Sequence, residues 1–256
     1  MNLNLFCSWI FFKLKTLFSI EPIVSTPIFG ITITIIAFII YWLVSKSKAV
    51  LSFFTNSYGK EKTLVYKILF QKFSGFLFLG IVPVLIISFS SYTLEQFGVN
   101  STNLLHSLYW ILSLGWAIFL LSFFVSRNPN NYKIYPQIRI SKWRTKTIFL
   151  NSFSWLLYLL SYEFLFRGIL LYSCLDTFGI TGSIIINIII YASAHIPKGL
   201  METIGSLPIG ALLCYITIST GNIWAAVVLH LIMALSNDYV SLYQNPKMKI
   251  SRSNKS

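Results

Sequence analysis

The sequence predicts an all-α fold: a polytopic transmembrane helix bundle of about seven spans, preceded by an N-terminal interfacial helix. Three observations carry that expectation. The chain is 55% hydrophobic and only 11% charged, where a soluble domain holds about 25% charged residues. Apolar runs of about 20 residues, the length that crosses a bilayer, recur along it. Its basic residues fall between or after those runs, in short stretches.

Residues 1–20 hold an apolar run, Leu5 to Phe12, followed by Lys13 and Lys15. A signal peptide has the opposite charge order and a small-residue cleavage site, so an interfacial or short membrane-entering helix is expected. The spans then run over roughly 26–45, 74–94, 104–126, 148–173, 180–196, 201–219 and 223–243. Residues 1–126 form an N-terminal set of membrane helices and 127–147 a basic loop. Residues 148–243 form a second set, within one membrane domain overall, and 244–256 a basic tail.

There are 20 Lys plus Arg against 7 Asp plus Glu, a formal charge of +13. In a soluble protein that excess would suggest nucleic acid as a partner. Here the cations group as Lys46 to Lys72, Arg127 to Lys146 and Lys247 to Lys255. This is the positive-inside pattern, so the expected partner is membrane lipid and not nucleic acid. Alternation puts all three groups on the cytoplasmic side, which implies a multi-pass protein of the cell membrane with a cytoplasmic C-terminus. The Ile, Lys and Asn bias suits a bacterial inner membrane. Cys7, Cys174 and Cys214 are odd in number and show no paired spacing, so neither a disulfide framework nor a zinc knuckle is expected.

The two halves differ in what they carry. The first spans hold almost nothing ionisable beyond His106, whereas the last four hold Glu163, Arg167, His195, Glu202, His230 and Asp238. An ionisable group at the centre of a membrane helix costs about 2.5–3.5 kcal/mol on insertion scales and usually marks function. Glu163 and Arg167 are four apart and share a helix face, which also suits a buried ion pair. A lone histidine is more often hydrogen-bonded structure than a ligand. Glu163, His195 and His230 on three neighbouring helices make a His₂-carboxylate set, which suits a divalent metal, zinc above all, with an open position for water.

The blocks YEFLFRGILL, YASAHIPKG and HLIMALSND resemble the three motifs of the CPBP family, the CAAX-prenyl-protease and bacteriocin-processing (Abi) intramembrane metalloproteases. That family's pattern is Glu-Glu-x-x-x-Arg, then Phe-x-x-x-His, then His-x-x-x-Asn. Here the positions read Tyr162-Glu163-x-x-x-Arg167, Tyr191-x-x-x-His195 and His230-x-x-x-Ala234, over about residues 148–240. The resemblance implies an intramembrane endopeptidase acting on membrane-associated peptides or proteins, with Glu163, Arg167, His195 and His230 as the site. Two positions depart from it. Tyr162 stands where the family has the glutamate linked to water activation, and Ala234 where it often has Asn. Asn237, Asp238 or Glu202 could substitute, although Glu202 is more naturally paired with Lys198 four residues earlier. The alternative these departures support is a weakened or inactive membrane scaffold or immunity-type protein of the same fold.

Overall fold

The structure is a computed structural model that describes residues 26–127, 131 and 134–251. The interfacial helix expected over 1–20, and Cys7, fall outside those residues. Helices dominate, as apolar segments without water require: each backbone N–H and C=O must find its partner inside its own segment.

Helix α1 (Pro27–Ser45) starts cleanly. Thr26 caps it by accepting from the Phe29 N–H at 3.2 Å, and Pro27 takes the first position, where a missing N–H does no harm. Helix α2 (Lys48–Gly75) runs through a π-helical turn, Phe76–Ile81, into α3 (Val82–Ser88). The first basic segment is therefore helical where a loop was expected. It bends at Gly59, whose φ of 74° is left-handed and suits a residue without Cβ. Residues Pro27–Ser88 form one long helical region of 62 residues with an apolar stretch long enough to span a membrane. Straight, that would be about 93 Å long, so the breaks at Lys46–Ser47 and Gly59 are what let it fold back.

Helix α4 (Leu104–Val125) follows a short 3₁₀ turn, Leu94–Phe97. Beyond it the expected basic loop is more structured than the sequence suggested. Ile138, Ile140 and Trp143 are buried and pack with Leu242. Strand β1 (Lys142–Arg144) pairs in parallel with β2 (Lys249–Ser251) from the tail. Among the described residues the fold is thus helical with one two-stranded clasp, and loop and tail are bound to each other.

Helix α5 (Thr145–Glu163), a π-helical segment Phe164–Leu170 and α6 (Leu171–Ser193) then form a second continuous region, where separate spans at 148–173 and 180–196 were expected. It bends at Gly179, with φ 62°. Helices α7 (Leu200–Thr220) and α8 (Trp224–Gln244) complete the bundle. Among the described residues, five helical regions are apolar enough by length and composition to cross a membrane.

Close approaches hold these helices together, as expected where lipid supplies no hydrophobic drive and small residues must let backbones meet. A Cβ at Gly30 would collide with Ser173 Oγ, and one at Gly80 with Ser161 Oγ. The turn before α8 is fixed by polar contacts. Asn222 Nδ2 donates to the Thr102 carbonyl at 2.7 Å, Asn222 Oδ1 accepts from Ser107 Oγ at 3.0 Å, and Trp224 Nε1 donates to the Asn100 carbonyl at 2.6 Å. These contacts set α8, and with it His230, against the start of α4.

Candidate functional site

Glu163 closes α5 and Arg167 lies in the π-helical segment that follows. A π turn leaves a backbone group without its usual partner and is common at functional sites. Here Asn187 Nδ2 donates to the Phe166 carbonyl at 2.6 Å. Glu163 and Arg167 are both fully buried. Arg167 Nη1 lies 3.2 Å from Glu163 Oε2 and 3.5 Å from Oε1. Only the Oε1 contact is a hydrogen bond, so the link is mainly Coulombic. The guanidinium stacks 4.1 Å from the Tyr191 ring and donates through Nη2 to the Gly210 carbonyl at 3.4 Å.

His230 reaches this pair from α8, with its Nδ1 2.5 Å from Glu163 Oε1. His195 follows the end of α6, and its Nδ1 lies 2.9 Å from the Tyr191 carbonyl. Both partners accept only, so each neutral ring carries its proton on Nδ1 and leaves the Nε2 lone pair free. Tyr191 bridges the two imidazoles, 4.6 Å from His195 and 6.5 Å from His230 between ring centroids. Tyr162 stands edge-on to both, at 6.4 and 5.8 Å.

These groups border a cavity of about 640 Å³. Tyr162, Tyr191, His195, His230 and Ala234 line it, with Phe38, Tyr41 and Trp42 of α1 and Leu121 and Val125 of α4 on its apolar flanks. Glu163 and Arg167 lie behind the wall and do not line it. Glu163 and His230 therefore meet through a hydrogen bond, with His195 beside them across Tyr191, and the three are not ligands around a point. Among the described residues no three His, Cys, Asp or Glu side chains are grouped to hold a metal. The ligand set expected from the sequence does not fit, because Glu163 is turned onto Arg167 and His230 Nδ1. The two Nε2 atoms remain usable as donors to a metal.

The proposed substitutes separate clearly. Glu202 lines the cavity; it lies 3.8 Å from Lys198 Nζ and accepts from Tyr135 Oη at 3.2 Å. Burial pushes the Tyr135 phenol well above its ordinary value, with nearby Glu202 adding to the shift, so Tyr135 is the donor. Asn237 also lines the cavity. Asp238 does not. It accepts from Asn151 Nδ2 at 3.0 Å, Trp155 Nε1 at 2.7 Å and the Gln137 N–H at 3.1 Å, and so ties α8 to α5 and to the 134–141 segment.

Lys72 was expected in a basic loop. It is buried, donating to Asn151 Oδ1 at 2.8 Å and lying 3.9 Å from the Trp155 ring. Lys72, Asn151 and Asp238 thus form a buried, charge-balanced relay. No local sequence signal marks it, since Asn151 is 79 positions from Lys72.

Residues 144–236 match the family model described as type II CAAX prenyl endopeptidase Rce1-like. This part of the chain is similar to the CAAX protease family. The match begins at the end of β1 and stops inside α8, so it takes in Glu163, Arg167, His195 and His230 and leaves α1 to α4 outside. No curated protein and no solved structure matches the chain. The family is one of proteases, and several long apolar helices accompany the match.

Proposed function

We propose that the chain is an intramembrane endopeptidase acting on membrane-associated peptides or proteins, with His230 as the proton acceptor and Glu163 as the residue that positions it. The observation that carries this reading is the 2.5 Å contact between His230 Nδ1 and a buried Glu163 carboxylate, beside a cavity lined by both histidines. A buried carboxylate on Nδ1 fixes the tautomer, orients the ring and stabilises the imidazolium that forms when Nε2 takes a proton.

The step balances with these groups alone. A water held at Nε2 loses a proton to His230 as its oxygen bonds to the peptide carbonyl carbon. The imidazolium then returns that proton to the amide nitrogen. The C–N bond breaks to give a carboxylic acid and an amine. Arg167 pairs with Glu163 and holds it in place, and His195 is the second imidazole beside the reacting carbonyl. A divalent metal such as zinc, if bound, would take the two Nε2 lone pairs in place of the proton and would polarise the carbonyl. No step above depends on it.

The chain crosses the membrane seven times in this reading, with its basic segments and C-terminus in the cytoplasm of a bacterial inner membrane. Helix α1 packs on α2, α6 and the two π segments, and α4 on α7 and α8. Both line the cavity, and a substrate in the bilayer meets it between them.

One observation favours binding without hydrolysis. Among the residues that line the cavity the one carboxylate is Glu202, already paired with Lys198. The test is incubation of the purified full chain in lipid nanodiscs with single-span peptide reporters, read by mass spectrometry with and without chelator. New termini in both arms support the metal-free protease reading, and loss with chelator assigns the metal to it. Reporters that co-purify uncut support the binding reading.

A further inference from the structure

Tyr162 forms part of the cavity wall beside both imidazoles. Its side chain is 4% exposed. Its ring is held by stacking on Phe166 at 4.6 Å and by edge contacts with Tyr158 and Tyr191 at 5.7 and 5.8 Å. Its hydroxyl is closed off from bulk water and has no hydrogen-bond partner. An unpaired buried hydroxyl costs about 1–3 kcal/mol, and in a well-packed wall it is a site that awaits a partner. A phenylalanine would fill the same wall without that cost.

The chemistry around it says what the partner is. The ring neighbours of the two imidazoles are Tyr162, Tyr191 and, against both tyrosines, Phe166. Tyr191 has the Arg167 guanidinium over its face, Phe166 has no polar group, and Ala234 in the same cavity wall offers no side-chain donor. The two Nε2 atoms are acceptors in the neutral rings, so they suit a water or an amide N–H. A peptide carbonyl oxygen needs a donor instead.

We propose that the Tyr162 hydroxyl donates a hydrogen bond to the carbonyl oxygen of a peptide seated against His195 and His230. This rests on the protease reading above and adds to it the group that stabilises the oxyanion. As water attacks, negative charge develops on that oxygen. A fixed O–H in a dry wall stabilises it far more than it stabilises the ground state.

The experiment compares wild type with Tyr162→Phe, as full chains in nanodiscs, using two readouts. The first is cleavage of a single-span peptide reporter. The second is binding of an N-dodecanoyl tripeptide aldehyde, followed through the fluorescence of Trp42 and Trp155, which line the cavity. The variant is expected to melt no lower than wild type, since it loses no hydrogen bond and sheds an unpaired hydroxyl. It is expected to lose about 100-fold in kcat with KM within about twofold, and to bind the aldehyde about tenfold more weakly. A fall in either readout supports the hydroxyl's role, and no change in both overturns it. A wild type that binds the aldehyde but cuts nothing, with affinity lost in Tyr162→Phe, sinks the protease reading and leaves the hydrogen bond standing. A wild type that neither cuts nor binds overturns both.

Discussion

Helices α4 and α8 are almost the same length, 22 and 21 residues, and both are apolar enough to cross a membrane, yet they live in different solvents. Only 11% of the most apolar window of α4 is buried, against 56% for α8. Helix α4 turns Leu105, Leu112, Trp116 and Leu120 outward and bears no acidic or basic side chain past His106. Helix α8 packs against α4, α5 and α7 and bears His230 and Asp238, both buried. An ionisable group facing lipid is expensive, whereas one facing other helices can be given a partner. Protein on all sides is what makes room for chemistry, and in this chain it is reached in the second half.

That contrast can be broken at several places, and the largest effect is expected at α8. His230→Gln should lower reporter cleavage about 10²- to 10⁴-fold, the range for a lost proton acceptor. His106→Gln at the exposed end of α4 should leave the rate within about twofold. Equal rates for both variants would show that burial and chemistry are not linked here.

The next effect concerns stability. Asp238→Ala removes the acceptor of three hydrogen bonds and leaves Lys72 without its balancing charge. The loss should be about 3–5 kcal/mol, as for any buried charge stripped of its partner. Denaturant unfolding in mixed micelles measures it, and Asp238→Ala combined with Lys72→Met should recover part of the loss. No recovery would mean that the two charges do not feel each other through Asn151. The smallest effect is on the lipid face: Leu105→Ala, at a side chain 83% exposed, should change stability by less than about 0.5 kcal/mol in the same assay.

The sequence disclosed these features unevenly, for physical reasons. Glu163 and Arg167 were legible as a pair because helical spacing alone brings them together. Lys198 and Glu202 were legible from the same separation of four, although Gly199, at φ 111°, interrupts the helix between them. The relay through Lys72, Asn151 and Asp238 was not, because its members come from three helices and Lys72 looks like any other cation of a basic segment. The clasp between β1 and β2 left a faint trace. Ile138 and Ile140 alternate with polar neighbours just before Trp143, a period of two that marks a half-buried extended segment. Burial by the tail could not be foreseen from it. The histidines were found from their residue types. Their relation to Glu163 was not, because a carboxylate can sit beside a histidine in the cavity or behind it, and sequence spacing does not choose between the two. Tyr162 read as a loss in the sequence; in the structure it is a hydroxyl waiting in the cavity wall.

The central claim is that Glu163 works through His230 from behind the cavity. It is tested most directly by kcat and KM for reporter cleavage by wild type and Glu163→Gln in nanodiscs, each with and without chelator. The expected result is a fall of about 10²- to 10⁴-fold in kcat for Glu163→Gln, with KM within about twofold and no response to chelator. An unchanged kcat in Glu163→Gln would contradict the account.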